Sequence, residues 1–370
     1  MKLNCLKSDL EKALSAIQKV VQKNPNLPIL ENALFEARGD ELFIKATNIE
    51  LFIEYKLTVS IDSDGEFAIP VDILLNSIRN SKTQKKLELE LKGTVLHVTD
   101  ESGNFTIKTV PHEDFPKIKK PESLKEKKEK INKELILNGV RSVYSYASNM
   151  TIKPELASVY IYTDADDLVF VATDQFRLAE KRIKSTPNTK FENILIPIKN
   201  VNNLVKVLET VDDEDFKFVS EENQLSLESE NIFVSSRVLD LSFPDYKSII
   251  PKDFAIKLVF LKEDFVSILK KTAMFTDNFG KTELEYKNGK LKISTENKDI
   301  GKIEEYLDVQ SESKNLKEFK VNVNNRYLRE SVIPINSDSV ELWFVDTGAP
   351  LLIKAVADNS FTYILMPMNN

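Results

Sequence analysis

The sequence predicts an α+β protein made of three tandem copies of one domain, each with two helices packed on antiparallel sheets. Three observations predict it. A strand-like segment returns at a period of roughly 125 residues, a strand-then-helix segment returns in step with it, and runs of period-two alternation close each copy.

The first element reads "LFIKATNIEL" at 42–51, "LVFVATDQFR" at 168–177 and "LKISTENKDI" at 291–300, with Thr47, Thr173 and Thr295 in the same place. The second reads "FAIPVDILLNSIRN" from Phe67, "ILIPIKNVNNLVKVL" from Ile194 and "FKVNVNNRYLRESV" from Phe319. In it alternation gives way to apolar residues at helical spacing, such as Leu74, Leu75 and Ile78. A helix also opens each copy, in "LKSDLEKALSAIQKV", "INKELILNGVRSVYSYAS" and "LKEDFVSILKKTAMF". Ser8 and Lys262 stand before acidic first turns, which the helix dipole favours. Each copy is expected to close with a β-hairpin running to an aromatic residue or methionine and a proline. Boundaries near the lysine-rich stretch 116–133 and near 249–257 give domains 1–120, 121–253 and 254–370.

Composition narrows the function. One cysteine, Cys5, excludes a disulfide framework or a thiolate metal cluster and fits a reducing, cytoplasmic setting. No apolar run approaches the length of a membrane span, so no membrane partner is expected. Two histidines, His97 and His112, in separate contexts leave little for zinc sites or histidine-activated nucleophiles. Nine glycines offer few phosphate-cradling loops, and "FGKTE" lacks the glycine a P-loop needs at Phe275. Gly280, Lys281 and Thr282 therefore read as a turn, and no cofactor is expected. The net charge of −7 argues against a generally adhesive nucleic-acid binder, but not against one whose cations gather on one face.

Over its whole length the chain resembles the bacterial sliding-clamp family, the beta subunits of DNA polymerase III. The resemblance rests on the triplication, "NPNLPIL" at 24–30, "ATDQFRLA" at 172–179, "FPDY" at 243–246 and the terminal "MPM" at 366–368, in that order and spacing. It implies a non-catalytic processivity factor: a head-to-tail homodimer whose six domains form a ring, encircling duplex DNA without sequence preference. Closing a ring pairs sheet edges that a single chain leaves open.

Cations on the helices should then meet phosphate. The candidates are Lys12, Lys19, Lys23, Arg79 and Lys82 in the first copy, Arg141, Lys199 and Lys206 in the second, and Lys270 and Arg326 in the third; Lys7, Lys133 and Lys262 also lie in or beside these helices. Asn24 stands where relatives often carry arginine, with Lys23 beside it as a substitute.

The resemblance also implies a groove for short peptides that insert leucine and phenylalanine. Leu156, Thr173, Phe176, Arg177, Leu178, Pro244, Ile249, Ile364 and Met366 are assigned to its deeper apolar part, and Asn324, Tyr327, Pro367, Met368 and Gln175 to the shallower one. Methionine suits a surface that must repack around several guests. The implied partners are the replicative polymerase alpha subunit, the clamp-loader delta subunit and other proteins carrying the clamp-binding motif. Gln175 before Phe176, and Asn369 and Asn370 at the end, depart from the common pattern and imply an altered motif preference. Asp174 itself reads as a strand-end residue satisfying backbone donors.

For the subunit contact, the resemblance sets Phe105 and Ile107 of one protomer against Met274 and Phe275 of the other; from the residues alone, burial in each domain's own core is as good a reading of Phe275. Two rivals follow from the same residues. One is a peptide scaffold that never binds DNA; the other is a metal-dependent nuclease holding Mg²⁺ at Asp164, Asp166 and Asp167 or at 212–215.

Overall fold

Each copy opens on a helix that begins with lysine: Lys7–Ile17, Lys133–Val143 and Lys262–Thr272. The computed structural model describes residues 1–81, 85–117, 119–150, 152–185, 191–221, 223–314 and 316–368. No side chain caps the first or third of these helices; Leu6 and Leu261 occupy the capping position, so Ser8 lies inside its helix rather than ahead of it. A different device fixes all three starts. The backbone N–H groups of Lys7, Lys133 and Lys262 donate to the carbonyls of Lys85, Glu214 and Asp338, at 2.9, 2.7 and 2.8 Å. Their ammonium groups then reach the carbonyls of Ser81, Val211 and Ile335, at 2.8, 2.5 and 2.6 Å. Ser81 and Val211 are the residues at which the copies' second helices, Val71–Asn80 and Ile198–Thr210, end. A lysine cation at a helix C-terminus satisfies carbonyls that have no partner within the helix. In the third copy the second helix is only Asn325–Glu330, and Asn324 caps it by accepting from the Tyr327 N–H.

The chain forms two compact units, Met1–Asn138 with Thr186–Asp240, and Gly139–Ser185 with Leu241–Asn370. In the first, Leu10, Leu14 and Ile17 of one helix and Leu74, Leu75 and Ile78 of another are fully buried, as their spacing predicts. A five-stranded sheet runs in the order Ser60–Ser63, Lys2–Leu6, Lys86–Lys92, Val95–Asp100, Gly103–Lys108. The last of these is an edge strand. An eight-stranded sheet holds strands of two copies, and they join where Leu51–Thr58 pairs antiparallel with Ile232–Arg237, placing Ile53 opposite Val234.

The second unit repeats this join one copy later. Arg177–Lys184 pairs antiparallel with Asp358–Leu365, Leu178 lying opposite Ile364. Its four-stranded sheet runs Gly301–Asp308, Lys290–Asn297, Lys281–Lys287, Phe319–Asn324, which leaves Gly301–Asp308 at an edge. Each copy closes with three strands rather than the expected hairpin: Lys86–Lys92, Val95–Asp100 and Gly103–Lys108 in the first, and Ser339–Phe344, Leu351–Ala355 and Asp358–Leu365 in the third. The extra strand follows a second tight turn, exemplified by Asp100, whose carboxylate accepts from the Ser102 and Gly103 N–H groups. Gly280, at φ +71, is the turn into Lys281–Lys287, as read from "FGKTE".

Candidate functional site

The segment 172–179 is a strand, a corner and a second strand. At the corner the Thr173 hydroxyl donates to the Arg177 carbonyl (2.7 Å) and accepts from the Gln175 N–H (3.2 Å). Asp174 Oδ1 accepts from the N–H groups of Phe176 and Arg177, both at 3.1 Å. The first copy builds the same corner from Thr47 and Asn48, whose Oδ1 accepts from Glu50 and Leu51. Gln175 (φ 78) and Ile49 (φ 79) take the same left-handed step. That conformation costs a residue with a Cβ about 1 kcal/mol or more, and glycine almost nothing. Asp174 is thus a structural corner, as the sequence indicates.

Only the middle copy gives this corner a further task. Asp174 Oδ2 holds the Arg177 guanidinium at 2.9 Å, and Arg177 also pairs with Glu330 of the third copy's short helix. The guanidinium lies over the rings of Tyr327 (4.3 Å) and Tyr146 (5.1 Å). Tyr146 donates to the Glu330 carbonyl at 2.8 Å, and Tyr363 to the Tyr327 carbonyl at 3.0 Å. Burial works against the Arg177 charge, yet Tyr363, Glu330 and Asp174 outweigh it and raise the pKa. Arg177 is therefore a buried, permanently charged rivet between strand and helix.

The C-terminal residues complete the site. The Met366 N–H donates to the Phe176 carbonyl (2.9 Å) and the Met368 N–H to the Asn322 carbonyl (2.8 Å). Pro367 lies between them and has no N–H to satisfy. Phe176, Asn324, Tyr327, Met366, Pro367 and Met368 line an open cavity of about 340 Å³. Phe176 is 61% exposed, so its ring is open to a guest in this cavity.

The structure therefore brings the shallower residues Asn324, Tyr327, Pro367 and Met368 together with Phe176 and Met366, both of which the sequence assigns to the deeper part. Gln175 is exposed and meets Lys153 at 3.5 Å. Its left-handed backbone is what turns Phe176 onto the cavity. Of the deeper set, Leu156, Thr173, Arg177, Leu178 and Ile364 are buried, and Pro244 and Ile249 are exposed. Leu178 and Ile364 belong to one apolar cluster with Val169, Val171, Tyr246 and Leu352. One neighbour escaped the sequence reading. Phe279, 75% exposed, receives the Asn324 amide on its carbonyl at 2.9 Å. An exposed aromatic just ahead of the Gly280 turn was the available signal.

The cations divide into engaged and open ones. Lys7, Lys133 and Lys262 are tied to carbonyls and act structurally. Lys12 pairs with Asp212, and Arg79 with Glu11 (3.3 Å) and Ser15 (2.8 Å). Arg326 lies 3.9 Å from Glu330, and Arg141 is exposed. Among the described residues, Lys19, Lys23, Lys199, Lys206 and Lys270 form no ion pair, and all but the half-buried Lys19 are exposed. Lys82, Asn369 and Asn370 lie outside the described residues. The acidic clusters hold cations of the chain itself: Asp164 pairs with Arg182 and, at 3.3 Å, with Lys247, and Asp167 with Lys184 at 2.9 Å.

Ile107 is buried in the first unit and Phe105 half-buried, both on the edge strand Gly103–Lys108. Met274 is 65% exposed and Phe275 half-buried, on the turn after Lys262–Thr272.

A repeated helix-and-sheet domain with unpaired sheet edges, and a site that is an apolar groove riveted by an arginine, define a protein that works by holding other molecules. The comparisons agree along the chain. The N-terminal, central and C-terminal domains of the DNA polymerase III beta subunit match residues 1–119, 130–245 and 247–369. The chain belongs to the DNA polymerase III beta-subunit family, and its fold is three tandem clamp domains. It is 26% identical to the beta sliding clamp of Haemophilus influenzae and 25% to that of Caulobacter vibrioides, in each case over 100% of both chains. Among solved structures, the DNA polymerase III beta subunit of Pseudomonas aeruginosa superposes with a TM-score of 0.92 at 20% identity, covering 100% of both chains. That of Thermotoga maritima gives 0.91 at 23%, covering 100% of this chain and 99% of the other.

Proposed function

We propose that this chain is a non-catalytic DNA polymerase processivity factor: a homodimeric ring that encloses duplex DNA, slides on it, and tethers the replicative polymerase alpha subunit and other motif-bearing proteins through the groove around Phe176. The observation that carries the ring is the repeated join between copies. Leu51–Thr58 of the first copy pairs with the closing strands of the second, and Arg177–Lys184 of the second with those of the third. The corresponding strand of the third copy, Gly301–Asp308, is left at an edge, and so is the last closing strand of the first copy, Gly103–Lys108. Applying the same join once more, between two protomers, pairs both leftovers head to tail and closes the circle. Phe105 and Ile107, with Met274 and Phe275, are assigned to that contact, and 1–120, 121–253 and 254–370 to the three domains of each protomer.

Topology rather than adhesion holds such a ring on DNA, consistent with a net charge of −7. The DNA-facing assignment now favours Lys23, Lys199, Lys206 and Lys270 over the ion-paired Lys12 and Arg79. In the groove, each leucine or phenylalanine anchor buried contributes about 1.5–3 kcal/mol, which gives exchangeable binding. The clamp-loader delta subunit is assigned to the same groove, in the cytoplasm; no described helix is long and apolar enough to cross a membrane.

The test is assembled mass together with DNA topology. The expected result is a particle near twice 42.2 kDa that, once loaded, stays on circular DNA and runs off linear DNA of the same sequence. A monomer indifferent to DNA ends would overturn the ring and leave a peptide scaffold.

A further inference from the structure

The segment that carries Pro244 and Ile249 crosses one face of the sheet in the second unit, and that face holds an unexpected carboxylate. Along Arg177–Lys184, side chains alternate, so Glu180 shares a face with Leu178, and register places it opposite Val171 and Thr362. Glu180 is 7% exposed, and Val171 opposite it is fully buried. Its Oε2 accepts a hydrogen bond from the Tyr246 hydroxyl, which also meets the Tyr162 hydroxyl at 2.7 Å. The nearest cation contact of Glu180 is Arg182 at 3.9 Å, and Arg182 is itself held by Asp164 and Asp167. A buried carboxylate with so distant a counter-ion is poor stabilisation compared with a hydrocarbon of the same shape.

What it does achieve is placement. Tyr246 is buried, and the Phe243 ring stacks on Tyr160 at 4.8 Å, so the crossing segment is pinned at both residues. Pro244 lies between the two pins. The Ile249 N–H donates to the Tyr246 carbonyl at 3.2 Å, so the second wall residue hangs from the same tyrosine.

Resting on the groove reading above, we propose that Glu180 is a positioning residue of the peptide groove: by holding Tyr246, which packs with Leu178 and Ile364, it sets where Pro244 and Ile249 stand, and so the width of the deeper apolar part. The probe is a fluorescein-labelled synthetic peptide ending in Leu-Phe, titrated into the full chain. Tyr246→Phe and Glu180→Leu should each weaken binding by about tenfold, which is one hydrogen bond's worth of positioning. The double variant should be no worse than Tyr246→Phe alone, because that substitution already removes the bond to Glu180 along with the one to Tyr162. Glu180→Gln, which keeps an acceptor, should stay within about twofold. The sole tryptophan, Trp343, packs against the same cluster as Leu178 and Ile364. Its emission should shift on peptide addition in the unsubstituted chain and shift less in Tyr246→Phe, a response that a merely stabilising hydrogen bond does not produce. Unchanged peptide affinity in Tyr246→Phe, whatever its melting temperature, overturns this inference alone. No binding by the unsubstituted chain overturns the groove and this inference with it.

Discussion

At the scale of single residues, the molecule places charge where it must be answered. Arg177 has a side chain 7% exposed, two carboxylates and two tyrosine rings around it. Removing it leaves Asp174 and Glu330 facing each other without their cation. Arg177→Ala is expected to destabilise the second unit by about 3 kcal/mol or more, read by denaturant unfolding. Asp100 gives a pH prediction. Hydrogen bonds from the Ser102 and Ser81 hydroxyls and the Ser102 and Gly103 N–H groups pull its pKa down to about 2 from 3.8. A folded-state value below the unfolded one means the stabilisation is complete above about pH 4 and is lost as pH falls toward 2. Asp100→Asn should therefore flatten the fall in melting temperature across that window. The residue-scale legibility of the sequence was uneven for a physical reason. Asp174 as a corner was readable, since its partners are two and three residues away. Glu330, which lies 153 residues from Arg177, left no local trace.

At the scale of elements, periodicity revealed most helices and strands, because each has one buried face. It did not reveal the third closing strand of each copy or the lysine ties, which depend on turns and on carbonyls 73 to 78 residues distant. Those ties make a prediction. Lys262→Met keeps the apolar stem and loses the bond to the Ile335 carbonyl, and should cost about 1.5–3 kcal/mol in unfolding free energy. Gly139 makes another. Alanine normally strengthens a helix relative to glycine, but a Cβ here would run into the fully buried Phe170 ring. Gly139→Ala should destabilise by about 1–3 kcal/mol, measured by thermal unfolding, reversing the usual sign.

At the scale of the whole molecule, the ring is an extrapolation of a rule the chain applies to itself twice. Substituting a charge into the leftover edge tests it: Phe105→Asp, at a half-buried position of that strand, should shift the particle toward monomer at concentrations where the unsubstituted chain is dimeric, as sedimentation would show. Triplication, the feature that fixed the architecture, was legible in the sequence. Which cations are engaged was not, because Lys12 meets Asp212 only after two helices pack together. Cys5 is 5% exposed, and burial, helped by Asp9, pushes its thiol up to about 12. At neutral pH it is neither reachable nor ionised, so maleimide reagents should pass it by. A single cysteine placed at the exposed Thr106 would then carry the only dye on each protomer, and an environment-sensitive dye there would time the parting of the seam it sits in without first engineering the native thiol away.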